Sequence, residues 1–544
     1  MRPAQSNRSS QFLRYAGLAF FVLALLYGVV IHFTNPVVPE DDGFISYRYA
    51  ANLAAGKGLV YNPGEHVFGA SNPLYVFWLA LVGSEARSNS LPDLAVRLNV
   101  IFWLAAAVGT FFLLRRLICS VALAALFAGL VFMRNDLLYA SLAGMESFLF
   151  VALLVWSLWA LSARRPVLSA LLAGLSVMVR PEGVLPCAVV LAGWLAGSKP
   201  QATSRKRQTV LLLAGLLGPG IIWAVFAFAY YGSPVYQSIV AKARPLYPLP
   251  FGHALVRIVR HLELWATSGL APYWSRAAGM LPPVRTIVTL LVLALAGTGF
   301  GLRRRLLRLR RSAALPALVL FILLVLFYFI TNPLVFDWYY PVLEVLWFAV
   351  LIAGIMWLAS WLRHRSRAAG VALAGLLIAF FAYSAIAPPL VRLSSGAGIT
   401  DLDIESDDVR MRIAAYQEAA EWLNQTVPPG WTVAGPEIGA LGFYYHGRIL
   451  DACALVSPEA TRFLPVPAAQ RNGPEAGAIS RELVRAEHPD VVATMPGFAY
   501  RSLYDDEWFQ TNYVPVKQFD LPYELWGSKT VDVFFRRDHV RVEE

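Results

Sequence analysis

Between residues 12 and 389 the chain is built from a succession of apolar runs close to bilayer length, and no other feature limits its fold as strongly. Such runs fit at 12–33, 95–114, 118–138, 146–163, 167–179, 183–198, 209–230, 283–301, 314–331, 338–360 and 369–389, the fifth being short. About 20 apolar residues at 1.5 Å rise each cross a hydrocarbon core of about 30 Å, and a helix satisfies its own backbone polar groups on the way. The expected fold is therefore a polytopic α-helical membrane protein with about 11 transmembrane helices. A hydrophobic fraction of 57% and a mean hydropathy of +0.54 agree with this and exclude an ordinary soluble enzyme.

The net charge of +11 would point to nucleic acid in a soluble chain. Here the basic residues gather in short loops instead: Arg115-Arg116, Arg164-Arg165, KPQATSRKR at 199–207, RRRLLRLRR at 303–311 and RHRSR at 363–367. With the N-terminus in the cytoplasm, every one of these falls on the cytoplasmic side. The first run follows Arg2, Arg8 and Arg14, is too long for a cleaved signal peptide and lacks a small-residue cleavage site, so it reads as a retained anchor. The stretch Leu74 to Val82 is too short to span; it is expected to lie in the interface, starting at Ser71-Asn72-Pro73. Three scattered cysteines and eight scattered histidines give neither a disulfide framework nor a metal-ligand spacing.

Beyond about residue 390 charge rises and no run is long enough to span. VRMRIAAYQEAAEWLNQTV, 409–427, has Ile413, Tyr416, Ala420 and Leu423 at helical spacing, while WTVAG, GRILDA, DVVATM and VDVFFRR read as short strands. The expected organisation is a membrane module over 1–389, with a first outer loop at 34–94, followed by a soluble mixed α/β domain over 390–544 on the outer face.

The same topology collects an unusual set of polar residues on the outer side. EDDGFISYRYAANLAAGKGLVYNPGE, 40–65, opens with Glu40, Asp41 and Asp42 at the end of the first span. A helix with Phe44, Ile45, Tyr49 and Leu53 on one face is expected there, ended by Gly56 and Gly58, with one aspartate as its N-cap. A carboxylate in that place can also accept a proton from a hydroxyl nucleophile.

The stretch DDGFISYRYAANLAAGKGLVYNPGEHVFGASNPLY resembles the first outer loop of the polyprenyl-phosphate-dependent GT-C glycosyltransferases, nearest the branch of terminal arabinofuranosyltransferases of actinobacterial cell walls, with only Ser71 departing mildly. The resemblance extends to LAGMES at 142–147, VRPEG at 179–183, YYGSPVYQSIVAKARPLY at 230–247, FDWYYP at 336–341 and GPEIGALGFYYHGRILDACALVSPEA at 435–460. It departs at Tyr236-Gln237-Ser238, where the family has Pro-Asn-Thr.

The resemblance implies a GT-C fold and a multi-pass protein of the bacterial cytoplasmic membrane. It implies transfer of a monosaccharide from a polyprenyl-phosphate donor to a glycan, lipid or protein acceptor of the cell envelope, with inversion. The implied catalytic carboxylates are Asp41, as base, with Asp42 and Glu146. Lys242, Arg180 and Arg48 are expected at the donor phosphate, and Asn62, Glu65, Glu182, Asp337, Trp338 and Tyr339 at the sugar or acceptor. Whether Asp41 and Asp42 share a Mg²⁺ or Mn²⁺ ion stays open. The alternatives are a transporter or flippase of a lipid-linked saccharide, which would carry ionisable groups within its spans as Glu344 does, and a glycan-binding envelope scaffold without chemistry.

Overall fold

The computed structural model describes residues 3–36, 39–83, 90–196, 202–244, 246–270, 279–305, 314–400, 402, 408–475 and 477–540. Residues 199–201 and 306–311 of the two longest basic loops lie outside the described residues. All eleven apolar segments are helical. Among the described residues, seven helices are long and apolar enough to cross a membrane, and an eighth is obtained if Val121–Phe132 and Asn135–Ser141, bent by 65°, are one span. The other three, Ser147–Ser162, Pro166–Ser176 and Val184–Leu195, have 16, 11 and 12 residues. At 1.5 Å per residue each falls short of a bilayer core of about 30 Å. Among the described residues, seven or eight helices thus have full bilayer length, and the remaining three apolar helices are shorter.

The chain divides by packing into two compact units. The first comprises 1–36, 96–221 and 252–403; the second comprises 37–95, 222–251 and 404–544. Beside the expected boundary at 389/390, the division groups two earlier segments with the C-terminal region: 37–95, and 222–251, which takes in the end of the helix Lys206–Tyr231.

In the first unit the helix Tyr340–Arg365 is the core element, with 94% of its apolar window buried. Small residues let a neighbouring helix approach closely: a Cβ on Gly354 would stand 2.6 Å from the Ala296 carbonyl oxygen, so the two backbones are in direct contact. Ser157 and Ser169, on adjacent short helices, each donate to the other's backbone carbonyl at 2.9 Å. These bonds satisfy hydroxyls that sit in apolar surroundings.

The second unit holds a five-stranded sheet of order β2-β1-β3-β5-β4, with β1 Thr432–Gly435, β2 Arg448–Asp451, β3 Val491–Thr494, β4 Tyr513–Leu525 and β5 Ser528–Arg536. Strands β2, β1 and β3 are parallel, whereas β5 and β4 are antiparallel to their neighbours. The helix Asp408–Thr426 packs against the β4–β5 hairpin through Trp422, whose ring lies 5.8 Å from that of Phe535. Ala241 and Leu246, from the 222–251 segment, are part of this unit's hydrophobic core together with Leu450, Val492 and Phe534.

The first loop folds onto the same unit. Its helix Asp41–Ala54 buries Phe44, Tyr47 and Tyr49, and the rings of Phe44 and Tyr47 lie 5.7 and 6.2 Å from Phe443. The helix Pro73–Gly83 does begin at Pro73.

Candidate functional site

Residues singled out in the first loop are brought against the C-terminal part of the second unit, mostly through backbone recognition. Asp41 starts its helix, yet the N-cap position falls on Glu40 and carries no side-chain cap bond. The Asp41 carboxylate instead accepts the backbone N–H of Gly439 at 3.0 Å and of Ala440 at 2.9 Å. Those two amides open the short helix Gly439–Tyr444, so a carboxylate from the first loop satisfies donors the helix cannot satisfy itself. A Cβ at Gly439 would collide with the Asp41 backbone oxygen and carboxylate, which is why glycine is required there.

Arg48, expected at a donor phosphate, is buried with its guanidinium engaged by protein. It donates to the carbonyls of Tyr61 at 2.8 Å, Tyr445 at 3.2 Å and Gly447 at 2.8 Å, to that of Gly442, and to Asn62 Oδ1 at 3.3 Å. Asn62, expected at sugar, is buried and pairs with β2: its Nδ2 donates to the Ile449 carbonyl at 2.9 Å and its Oδ1 accepts the Ile449 N–H at 3.0 Å. A primary amide here supplies both halves of a strand pairing to the edge of the sheet. Glu65 accepts from Arg448 Nε at 2.5 Å, and Arg448 reaches Glu459 at 2.6 Å with its other end. Lys242 lies exposed in the last turn of helix Gln237–Ala243. That helix is held by Gln237, whose amide donates to Ala454 O and Thr461 Oγ1, both at 3.0 Å.

The second unit also contains acids that sequence reasoning missed. Glu437 pairs with Arg412 at 2.6 Å, and burial pushes its carboxyl up to about 7, opposed by the Arg412 guanidinium and reinforced by the charges of Asp41 and Asp42. Asp451 is fully buried and accepts the N–H groups of Cys453, Leu455 and Val456; burial nevertheless holds its carboxyl at about 7, with the charge of Asp42 adding to the rise. The available signal was a lone acidic residue between Gly435-Pro436 and an apolar stretch. Among the described residues, no three His, Cys, Asp or Glu side chains are placed to hold a metal ion. Both oxygens of Asp41 also face backbone amides.

In the first unit, five of the expected residues meet in one network. Arg180 is buried and donates from Nε to Glu182 Oε1 at 2.7 Å and from Nη1 to Glu146 Oε1 at 3.3 Å and the Trp338 carbonyl at 3.2 Å. Its guanidinium carbon lies 4.5 Å from the centre of the Tyr339 ring. Tyr328 donates to Glu182 Oε1 at 2.8 Å, and Ser147 donates to the Trp338 carbonyl at 2.8 Å. Glu146 occupies the N-cap position of Ser147–Ser162 but makes no cap bond; its carboxylate faces Arg180. Asp337 is exposed at the head of the 3₁₀ turn Asp337–Tyr339.

Glu344 has partners of its own. Arg134, buried, donates to Glu344 at 2.8 Å, to Ser268 at 2.8 Å and to Asp136 at 2.5 Å. The in-span acid thus has a buried cationic partner, the condition under which a carboxylate is tolerated at membrane depth.

The fold is the GT-C fold of a membrane protein, as superposition on a solved structure over nearly the whole chain shows. The chain superposes on ArnT from Cupriavidus metallidurans in the apo state with a TM-score of 0.53 and 15% identity, over 95% of this chain and 97% of that one. In sequence it is similar to a terminal β-(1→2)-arabinofuranosyltransferase of Corynebacterium glutamicum, 26% identical over 341 residues, and to one of Mycobacterium tuberculosis, 32% identical over 224 residues. These alignments take in 54% and 37% of this chain but 48% and 34% of the relatives, so the chain spans about half or less of their length. Residues 404–538 match a domain family described as a domain of unknown function, DUF8728.

Proposed function

We propose that the chain is a membrane glycosyltransferase that moves a monosaccharide, of the arabinofuranose class, from a polyprenyl-phosphate donor to a cell-envelope glycan. In this reading an acceptor hydroxyl gives its proton to the Asp41 carboxylate as its oxygen bonds the anomeric carbon. The bond from that carbon to the phosphate oxygen breaks with inversion, and polyprenyl phosphate leaves. Each Asp41 oxygen accepts one backbone amide and keeps a second lone pair for the incoming hydroxyl. Lys242 is the cation assigned to the leaving phosphate. Arg48 and Asn62 act as positioning residues for the first loop. Arg180, balanced by two carboxylates, orients Glu146, and Asp42 completes the acidic surroundings of Asp41.

The observation that carries this reading is the fixed Asp41 carboxylate, held by two amides of a helix whose Gly439 leaves room for nothing larger. The similarity to the named arabinofuranosyltransferases supports the sugar class. The test is transfer from a radiolabelled polyprenyl-phosphate arabinose donor by the full chain. Activity should be lost in Asp41→Asn and kept in Arg180→Lys at reduced level. Transfer by Asp41→Asn at the wild-type rate would remove Asp41 as base, and a wild type that binds glycan without turnover would favour the scaffold.

A further inference from the structure

The tip of the β4–β5 hairpin carries an aromatic residue in a conformation that aromatic residues avoid. Leu525 pairs with Ser528, leaving Trp526 and Gly527 as a two-residue turn with φ of +49° and +76°. Two positive φ values are the signature of a type I′ turn, whose first position favours asparagine, aspartate or glycine because a bulky side chain is strained there. Trp526 is nonetheless 55% exposed, so burial of its ring does not offset that strain.

The ring is also held in a defined orientation. The Arg412 guanidinium carbon lies 4.9 Å from its centre and Phe498 stands against it at 5.7 Å between centroids. Arg412 in turn is ion-paired with Glu437, whose carboxyl feels the charge of Asp41. On β4 the pairing slips between Asp520 and Leu525, and this irregular stretch leaves Tyr523 43% exposed near the same turn. An exposed ring held in one orientation and a second half-exposed aromatic offer what a sugar ring needs first, a face for its C–H groups, while the buried Arg412–Glu437 pair fixes the ring from beneath.

We propose that Trp526 is a stacking platform for the acceptor glycan, a neutral pentose oligosaccharide, and that it fixes acceptor affinity. The proposal rests on the transferase reading above for the identity of its ligand. The platform lies one guanidinium away from Glu437, within the unit that holds Asp41.

The turn itself supplies the decisive variant. Trp526→Asn creates the Asn-Gly pair that type I′ turns prefer, so it removes the ring while relieving strain. In full-length detergent-solubilised protein, binding of a linear arabino-oligosaccharide is followed by calorimetry and transfer by the radiolabel assay. Trp526→Asn should unfold at or above the wild-type temperature, bind the oligosaccharide roughly tenfold more weakly or worse, and raise acceptor KM with donor KM unchanged. Trp526→Leu, apolar but without a π face, should also bind weakly. Wild-type protein that does not bind the oligosaccharide, or binding within twofold of wild type in either folded variant, overturns the proposal. Loss of binding in both variants beside a wild type that transfers no sugar would sink the transferase reading and leave the platform standing.

Discussion

Asp41→Asn separates what the carboxylate holds from what it reacts with. In the wild type two backbone amides at 2.9 and 3.0 Å point at the two oxygens of one negative charge. Hydrogen bonds to a charged partner contribute about 1.5–3 kcal/mol each. Asparagine can accept one amide with its oxygen, but its own NH₂ then confronts the other, so one bond weakens and the second is replaced by two donors face to face. The expected loss is about 2–4 kcal/mol in the docking of the first loop onto helix Gly439–Tyr444. That raises the opened population roughly 30- to 1,000-fold. Limited proteolysis of the purified full chain, read by the rate of cleavage within 55–67, measures this opening directly. Gly439→Ala, whose Cβ would collide with Asp41, should open the loop to a similar extent while leaving every charge in place. Cleavage of Asp41→Asn at the wild-type rate would refute the bracing role and leave Asp41 with chemistry alone.

Two further outcomes follow from the same unit. Arg48→Lys replaces a planar five-donor fork by a three-donor point charge that cannot match its spread over the carbonyls of Gly442, Tyr445 and Gly447, while the Tyr61 carbonyl keeps the Asn52 amide, and each carbonyl left without a donor costs about 1–3 kcal/mol; its thermal midpoint should fall by several degrees, and an unchanged midpoint would show that the clamp is dispensable. Glu437 has its folded carboxyl raised from 4.5 to about 7, so the folded state holds the extra proton over that window. Its contribution is therefore fully present below pH 4.5 and is lost as pH rises through about 7; Glu437→Gln should flatten that fall in a stability-versus-pH series, and identical slopes would exclude it.

Much of the fold was legible because the signals were long. Runs of about 20 apolar residues and basic loops identify the helices whatever their neighbours do. Three of those helices proved short because an apolar run records environment, not the length of regular backbone. In the C-terminal region four of five strands were visible as β-branched or aromatic stretches. Strand β4 was not, since Pro515, Pro522 and several charges interrupt it, and an edge strand tolerates both. For the site, the first-unit residues Glu146, Arg180, Glu182, Trp338 and Tyr339 were named from sequence and meet in one network. The loop residues Arg48, Asn62 and Glu65 were named for the sugar or phosphate, and their protein partners are backbone groups and Arg448. A polar residue in a motif looks the same in sequence whether it faces a ligand or a neighbouring carbonyl. Glu437 and Trp526 were missed because each owes its character to partners far away along the chain.

The amide of Asn62 closes the open edge of β2, and this affects how the molecule can be taken apart. A fragment cut at residues 404–538 follows the borders of a recognised domain family, yet it would present that edge to solvent and lose Ala241 and Leu246 from its core. Bare edges invite other strands, so such a fragment is a poor candidate for separate expression. For the same reason a chimera that imports this domain from a relative has to bring its first loop along. The heritable module and the unit that folds are not the same stretch of chain.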